Sequence, residues 1–217
     1  MTVNDLTNFS DFKLTLGYSE GGGNYKAVYK NSAGVPLAFG KYQFIDSRLT
    51  DVANFLGVSK PDYDEFLNNK DEQENSFIGH CNLMLRDLQN NGSMDYIGTP
   101  IKGANKYPID TVTNVYGLLG GGHLAGVNGV KNYFENGTDA SDSLGTHTSD
   151  YIAKFSNKVS FVEKTLKAIN ETVKTAVDAV VPDVISNNNF FLTSLIITIM
   201  TFGIILLNKK YKFIRKI

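Results

Sequence analysis

Apolar residues recur at helical spacing in several stretches of the chain. Leu49, Val52, Ala53 and Leu56 share one face over Ile45–Leu56, and Phe77, Ile78, Cys81, Leu85 and Leu88 recur every three or four residues over Asp71–Gln89. Both patterns predict amphipathic helices. Shorter helices are expected over Ser10–Tyr18, Tyr63–Asn69, Thr111–Leu119, Gly126–Asn136 and Ser149–Asn157. Strand signal is confined to Tyr25–Tyr29 and Ala38–Gln43, where a small sheet or ribbon fits. Residues 21–38 are rich in turn formers, Asn90–Lys106 reads as a loop, and Gly120-Gly121-Gly122 reads as a separator of two helices. The expectation is a mainly α domain over residues 1–157 with a small β element.

The pattern then changes. Val159, Val162, Leu166, Ile169, Val173, Ala176 and Val180 alternate spacings of three and four, a heptad seam that Pro182 ends. Such a helix either packs on the preceding domain or stands as a stalk that self-associates through 159–180. Residues 158–189 are therefore read as stalk and linker. Phe190–Leu207 is eighteen residues without a charge. At 1.5 Å per residue it reaches roughly 27 Å, about the thickness of a hydrocarbon core. Residues 190–207 are expected to span a lipid bilayer, and 208–217 to form a basic tail on its surface.

Charge supports that division. The chain has 21 basic and 22 acidic residues, and Lys209, Lys210, Lys212, Arg215 and Lys216 crowd into the last nine positions. The body is thus acidic, which argues against nucleic acid as a partner. Met1–Leu16 lacks the basic start and apolar stretch of a signal peptide. The expected location is a membrane, through a single C-terminal pass. The positive-inside tendency would put the body outside the cytoplasm. Translocating that body without a leader argues for a cytoplasmic body or for the internal membrane of a virus particle. The single cysteine, Cys81, excludes an intramolecular disulfide. His80, Cys81, His123 and His147 lack zinc-site spacing, so no metal or other cofactor is expected.

The candidate chemistry lies in two motifs. Glu20 precedes Gly21-Gly22-Gly23-Asn24-Tyr25, and Gly40-Lys41-Tyr42-Gln43-Phe44 begins fifteen positions after Tyr25. Glycines let a backbone approach a bulky ligand. Tyr42 and Phe44 offer flat apolar faces for sugar rings, and Asn24 and Gln43 offer paired donors and acceptors for hydroxyls and acetamides. A glycosidic bond is cleaved by delivering a proton to its leaving oxygen, which a carboxylic acid set among apolar groups can do. Phe12, Leu16, Tyr18 and Tyr25 lie near Glu20 in sequence. The common two-carboxylate scheme has no convincing second member here. Asp46 and Asp51 read better as helix-start and surface acids.

This pair of motifs resembles that of the lysozyme-like lytic transglycosylases of the goose and phage types, which carry E-S-G-G-x-Y and then G-K-Y-Q-F. Two weaker matches follow in the same order. Gly122-His123-Leu124-Ala125-Gly126 resembles the cleft segment A-Y-N-A-G, closer to its phage form A-H-L-x-G, and Thr148-Ser149-Asp150-Tyr151-Ile152 resembles E-T-x-x-Y-V. The resemblance spans about residues 12–155. It implies a lysozyme-like fold and cleavage of peptidoglycan glycan strands between N-acetylmuramic acid and N-acetylglucosamine. It also implies a single Glu, here Glu20, acting first as acid and then as base while the muramic C6 hydroxyl closes a 1,6-anhydro ring. Asn24, Tyr25, Gly40, Tyr42, Gln43, His123 and Tyr151 would line the sugar site.

The departures are Gly21, where the family has Ser, and Leu124, where it has Asn. They leave two alternatives open, a muramidase that admits water and an inactive peptidoglycan-binding module anchoring a membrane complex. A cysteine peptidase using Cys81 with His123 is a third, opposed by the place of Cys81 on the apolar face of its helix.

Overall fold

The computed structural model describes residues 1–157. The heptad stretch, the proposed span and the basic tail lie outside the described residues.

The first helix, α1 (Phe9–Gly21), extends three residues beyond the expected Tyr18 and carries Glu20 in its last turn. Gly22 and Gly23 end it in the left-handed region, at φ 62° and 76°, with the Gly23 N–H bonded to the Gly17 carbonyl at 3.0 Å. The chain then forms a hairpin of β1 (Val28–Lys30) and β2 (Pro36–Phe39), antiparallel with Val28 opposite Phe39. The expected small ribbon is present. Residues 40–43, read as strand, are instead a tight turn, with Gly40 at φ 75° and Gln43 at φ 49°.

Helices α2 (Asp46–Leu56), α3 (Tyr63–Asn68) and α4 (Lys70–Asn90) follow within one residue of expectation at each end. Asp62 and Asn69 cap the second and third of these, accepting from the amides of Asp64 and Glu72. Helix α4 is central, with Gln73, Phe77, His80, Cys81, Met84 and Leu88 all buried. Aromatic rings converge there: Tyr42 stacks on Phe77 at 3.9 Å, and Phe12 packs against Phe77, Tyr116 and Phe155.

The segment expected as a loop over 90–106 contains a 3₁₀ turn (Ser93–Tyr96) and β3 (Pro100–Lys102), which pairs with β4 (Asp110–Val112). The helix expected from Thr111 therefore starts later, as α5 (Val115–Asn136), where the Asn114 side chain accepts from the amides of Tyr116 and Gly117.

The Gly120–Gly122 run does not separate two helices. It lies inside α5, where Gly120 and Gly121, with Gly117, pack against the last described helix, α6, over 148–157. A Cβ at Gly117 would sit 2.0 Å from Ser156 Oγ, one at Gly120 2.3 Å from the Phe155 ring, and one at Gly121 2.6 Å from Ile152 Cγ1. The break comes instead at Gly126, at φ 72° and ψ 165°, a backbone state open essentially to glycine.

The described region is thus a mainly helical α+β domain with two small two-stranded sheets. Among the described residues no helix is long and apolar enough to cross a membrane.

Candidate active site

Four helices bring the first candidate cluster together. Glu20 comes from the end of α1, Tyr151 from α6, His123 from α5 just before its break, and His80 from α4. Tyr151 donates its hydroxyl to Glu20 Oε1 at 2.5 Å, across 131 residues of sequence. His123 Nε2 stands 4.0 Å from the same oxygen. The Glu20 side chain keeps 18% of its exposure, so the carboxylate is sheltered but reachable. Behind it, His123 Nδ1 and His80 Nε2 lie 3.2 Å apart. His80 is buried against the rings of Phe44 and Phe77.

Burial sets the protonation of this cluster. It holds His123 below the ordinary histidine range, although the Glu20 charge works the other way. His80 is held lower still, by burial and then by His123 and Arg48. The Tyr151 phenol is driven far up by burial and by the adjacent Glu20 charge, so it remains a donor. Lys154, one turn along α6, lies among the rings of Tyr107, Tyr151 and Phe155 and donates to the Tyr107 hydroxyl at 2.8 Å. Burial pushes its ammonium down to about 8, against the pull of Glu20.

A second cluster gathers the remaining motif residues around α4. Glu74 accepts from Tyr25 Oη at 2.7 Å, Tyr42 Oη at 2.9 Å and Lys41 Nζ at 2.7 Å, and pairs with Lys13 at 2.5 Å. Burial works to raise its pKa, but the donors from Lys13, Lys41, Tyr25 and Tyr42 outweigh it and bring the carboxyl down to about 2. Glu74 is thus a fixed anion. Gln73 ties the two motifs together. Its Oε1 accepts from the Lys41 amide, and its Nε2 donates to the carbonyls of Tyr25 and Phe66. A Cβ at Gly40 would fall 2.3 Å from that Oε1, which is why glycine stands there.

This arrangement corrects several assignments. Tyr42 offers no face to a sugar ring, because it is fully buried between Phe77 and Glu74. Gln43 folds onto its own turn, donating to the Gly40 carbonyl at 2.7 Å. Asn24 is exposed and accepts from the Lys26 amide within a local turn. Tyr25 serves Glu74 rather than Glu20. Gly40, Tyr42, Gln43 and Tyr25 therefore build the wall behind the site. Contact between the two clusters runs through the backbone: the His123 ring lies near the backbone of Tyr42, and Gly21 packs on Lys41.

Asp46 is exposed and engaged by Lys60 and Tyr63, and exposed Asp51 faces Arg48, so neither joins Glu20. Cys81 is fully buried and burial pushes its thiol up, which removes it as a nucleophile. A groove of about 870 Å³ beside the first hairpin, with Leu37, Phe39, Ile45 and Tyr63 in its walls, includes none of Glu20, His123 or Tyr151. Sequence reasoning missed His80, Lys154, Gln73 and Glu74. The last two lie in the polar run Lys70–Asn75 and look like a solvated helix face. The chain matches no protein-family profile, no curated protein and no solved structure.

Proposed function

We propose that this protein is a lysozyme-like enzyme that cleaves peptidoglycan glycan strands, with Glu20 as its single acid and base. The observation that carries the reading is the 2.5 Å hydrogen bond from Tyr151 to Glu20. It joins the first and last members of the motif series at one sheltered carboxylate. The Gly40–Phe44 turn supports the same reading, since it packs against the end of α1 beside that acid.

In this scheme Glu20 gives its proton to the oxygen between N-acetylmuramic acid and N-acetylglucosamine, and the C1–O bond breaks. The carboxylate then takes the proton of the muramic C6 hydroxyl as that oxygen bonds to C1. The nucleophile is already part of the sugar, so proximity replaces an activated water. Glu74 does not supply a second acid, because four donors keep it ionised. In the same proposal residues 190–207 anchor the enzyme to a bilayer and 159–180 form its stalk, as their hydrophobic patterns suggest.

The test is digestion of purified peptidoglycan by the full-length protein in detergent, beside Glu20→Gln, with soluble products read by mass spectrometry. Products one water lighter than hydrolysed muropeptides, absent from Glu20→Gln, are expected. Ordinary reducing ends would make the enzyme a muramidase. Binding without any sugar release would sink the enzymatic reading and leave a wall-binding module.

A further inference from the structure

The two oxygens of Glu20 are not equivalent. Tyr151 donates to Oε1, and His123 Nε2 faces the same oxygen. Among the described residues no hydrogen bond reaches Oε2. A neutral carboxylic acid has one O–H, and its other oxygen accepts. An oxygen that already receives the Tyr151 hydroxyl is the poorer place for the acid proton.

The histidine pair admits one consistent arrangement of hydrogens. His123 Nε2 lies 4.0 Å from a carboxylate oxygen, beyond hydrogen-bond reach but close enough for the negative charge to favour the hydrogen on that nitrogen. Its Nδ1 is then bare and accepts from the His80 Nε2–H at 3.2 Å. His80 Nδ1 is left bare as well, and this is a buried atom without a partner among the described residues. The opposite arrangement would orphan an N–H at that atom, a costly loss in a buried site, and aim a lone pair at the carboxylate. The groups that face His123 are Glu20 from α1, the Tyr42 backbone, His80 from α4 and, farther off, Arg48 from α2. Burial keeps both rings neutral, so the arrangement persists at neutral pH.

We propose that His123 is a positioning residue for Glu20, locked by His80 as the Nε2–H tautomer, and that with Tyr151 it directs the acid proton to Oε2. Oε2 is then the oxygen that protonates the leaving sugar oxygen and afterwards receives the C6 hydroxyl proton. The catalytic part of this inference rests on the proposed role of Glu20. The tautomer part does not.

Long-range ¹⁵N–¹H NMR of the full-length protein labelled at histidine reads the tautomers directly. His123 and His80 are both expected as Nε2–H with bare Nδ1, and His80→Phe is expected to leave His123 a tautomeric mixture. A His123 that carries its hydrogen on Nδ1 in the wild type would overturn the proposal whether or not the variant folds. So would a His123 whose tautomer is unchanged in folded His80→Phe. In the digestion assay, His123→Phe should lose at least tenfold in kcat with little change in KM, and His123→Gln, which retains a donor, should recover part of it. Equal kcat for wild type and His123→Phe would also overturn it. If Glu20→Gln digests normally while the tautomers stand, Glu20 falls as the acid and base and the histidine lock survives. If Glu20 is essential and the tautomers are reversed, the lock falls and the enzyme survives.

Discussion

Gly21 meets the Lys41 carbonyl so closely that a Cβ at position 21 would lie 2.6 Å from that oxygen and 2.9 Å from the Gly40 carbonyl. The residue after Glu20 is therefore glycine for a steric reason. The Gly40–Phe44 turn sits directly on the end of α1, and backbone, unlike a long side chain, cannot step aside. Gly21→Ser, which introduces the serine of the lytic transglycosylase motif that this segment resembles, should destabilise the protein by about 1–3 kcal/mol, the usual cost of overpacking. Chemical denaturation checks this, and an unchanged midpoint would show that the turn yields.

Glu74 should give the protein an acid-sensitive share of its stability. Its folded pKa of about 2 lies below the ordinary 4.5. The contribution is therefore complete above pH 4.5 and is lost as pH falls toward 2. Allowing for partial exposure, Glu74→Gln should cost about 2 kcal/mol at pH 7. The gap between variant and wild type should narrow from pH 5 to 2. A gap that holds constant over that range would argue against the four-donor anchor.

Lys154 should act in the opposite direction. Burial lowers its pKa from the ordinary 10.5 to about 8, so the folded state disfavours the ammonium. The unfolded chain binds more protons between pH 8 and 10.5, and the wild type should gain stability across that window. Against Lys154→Met as reference, a gain of about 2 kcal/mol is expected, reduced from the full pKa difference for residual solvation. Denaturation curves for the two proteins at pH 7, 8.5 and 10 would show it, and parallel curves would refute it.

Gly120→Ala tests the contact between α5 and α6. In a free helix the change would favour folding by about 1 kcal/mol. Here the new Cβ would stand 2.3 Å from the Phe155 ring. Phe155 also packs on Phe12 and Tyr151, so it has little room to move. A net loss of about 2 kcal/mol is expected. Because the contact sets α6, which carries Tyr151, the proposed peptidoglycan cleavage should weaken with it, and a stabilised Gly120→Ala protein would contradict this packing.

Periodicity located α2 and α4 to within a residue, because their apolar residues alone state which face turns inward. It failed where glycine carried the meaning. Gly120–Gly122 resembles a helix break in one dimension, yet Gly120 and Gly121 clear room for Phe155 and Ile152, and Gly122 faces Met84. The β3–β4 hairpin was missed because each strand has three residues, too few to show alternation. The same division holds at the site. Glu20, His123 and Tyr151 were legible as motif residues, whereas Lys154 was not, since nothing local marks a lysine as buried.

By itself, then, the sequence determined the main helices, the Glu20 and Gly40–Phe44 motifs, and the apolar segment at 190–207. These are properties of neighbouring residues. Tertiary structure decided that Tyr42 is core rather than a sugar platform, and that Tyr25 and Lys41 serve Glu74. It also decided that His80 stands behind His123 and that Tyr151 reaches Glu20. Each of these is a polar group buried or paired across a long stretch of chain. Its free energy depends on a partner that only the folded chain brings within hydrogen-bond distance.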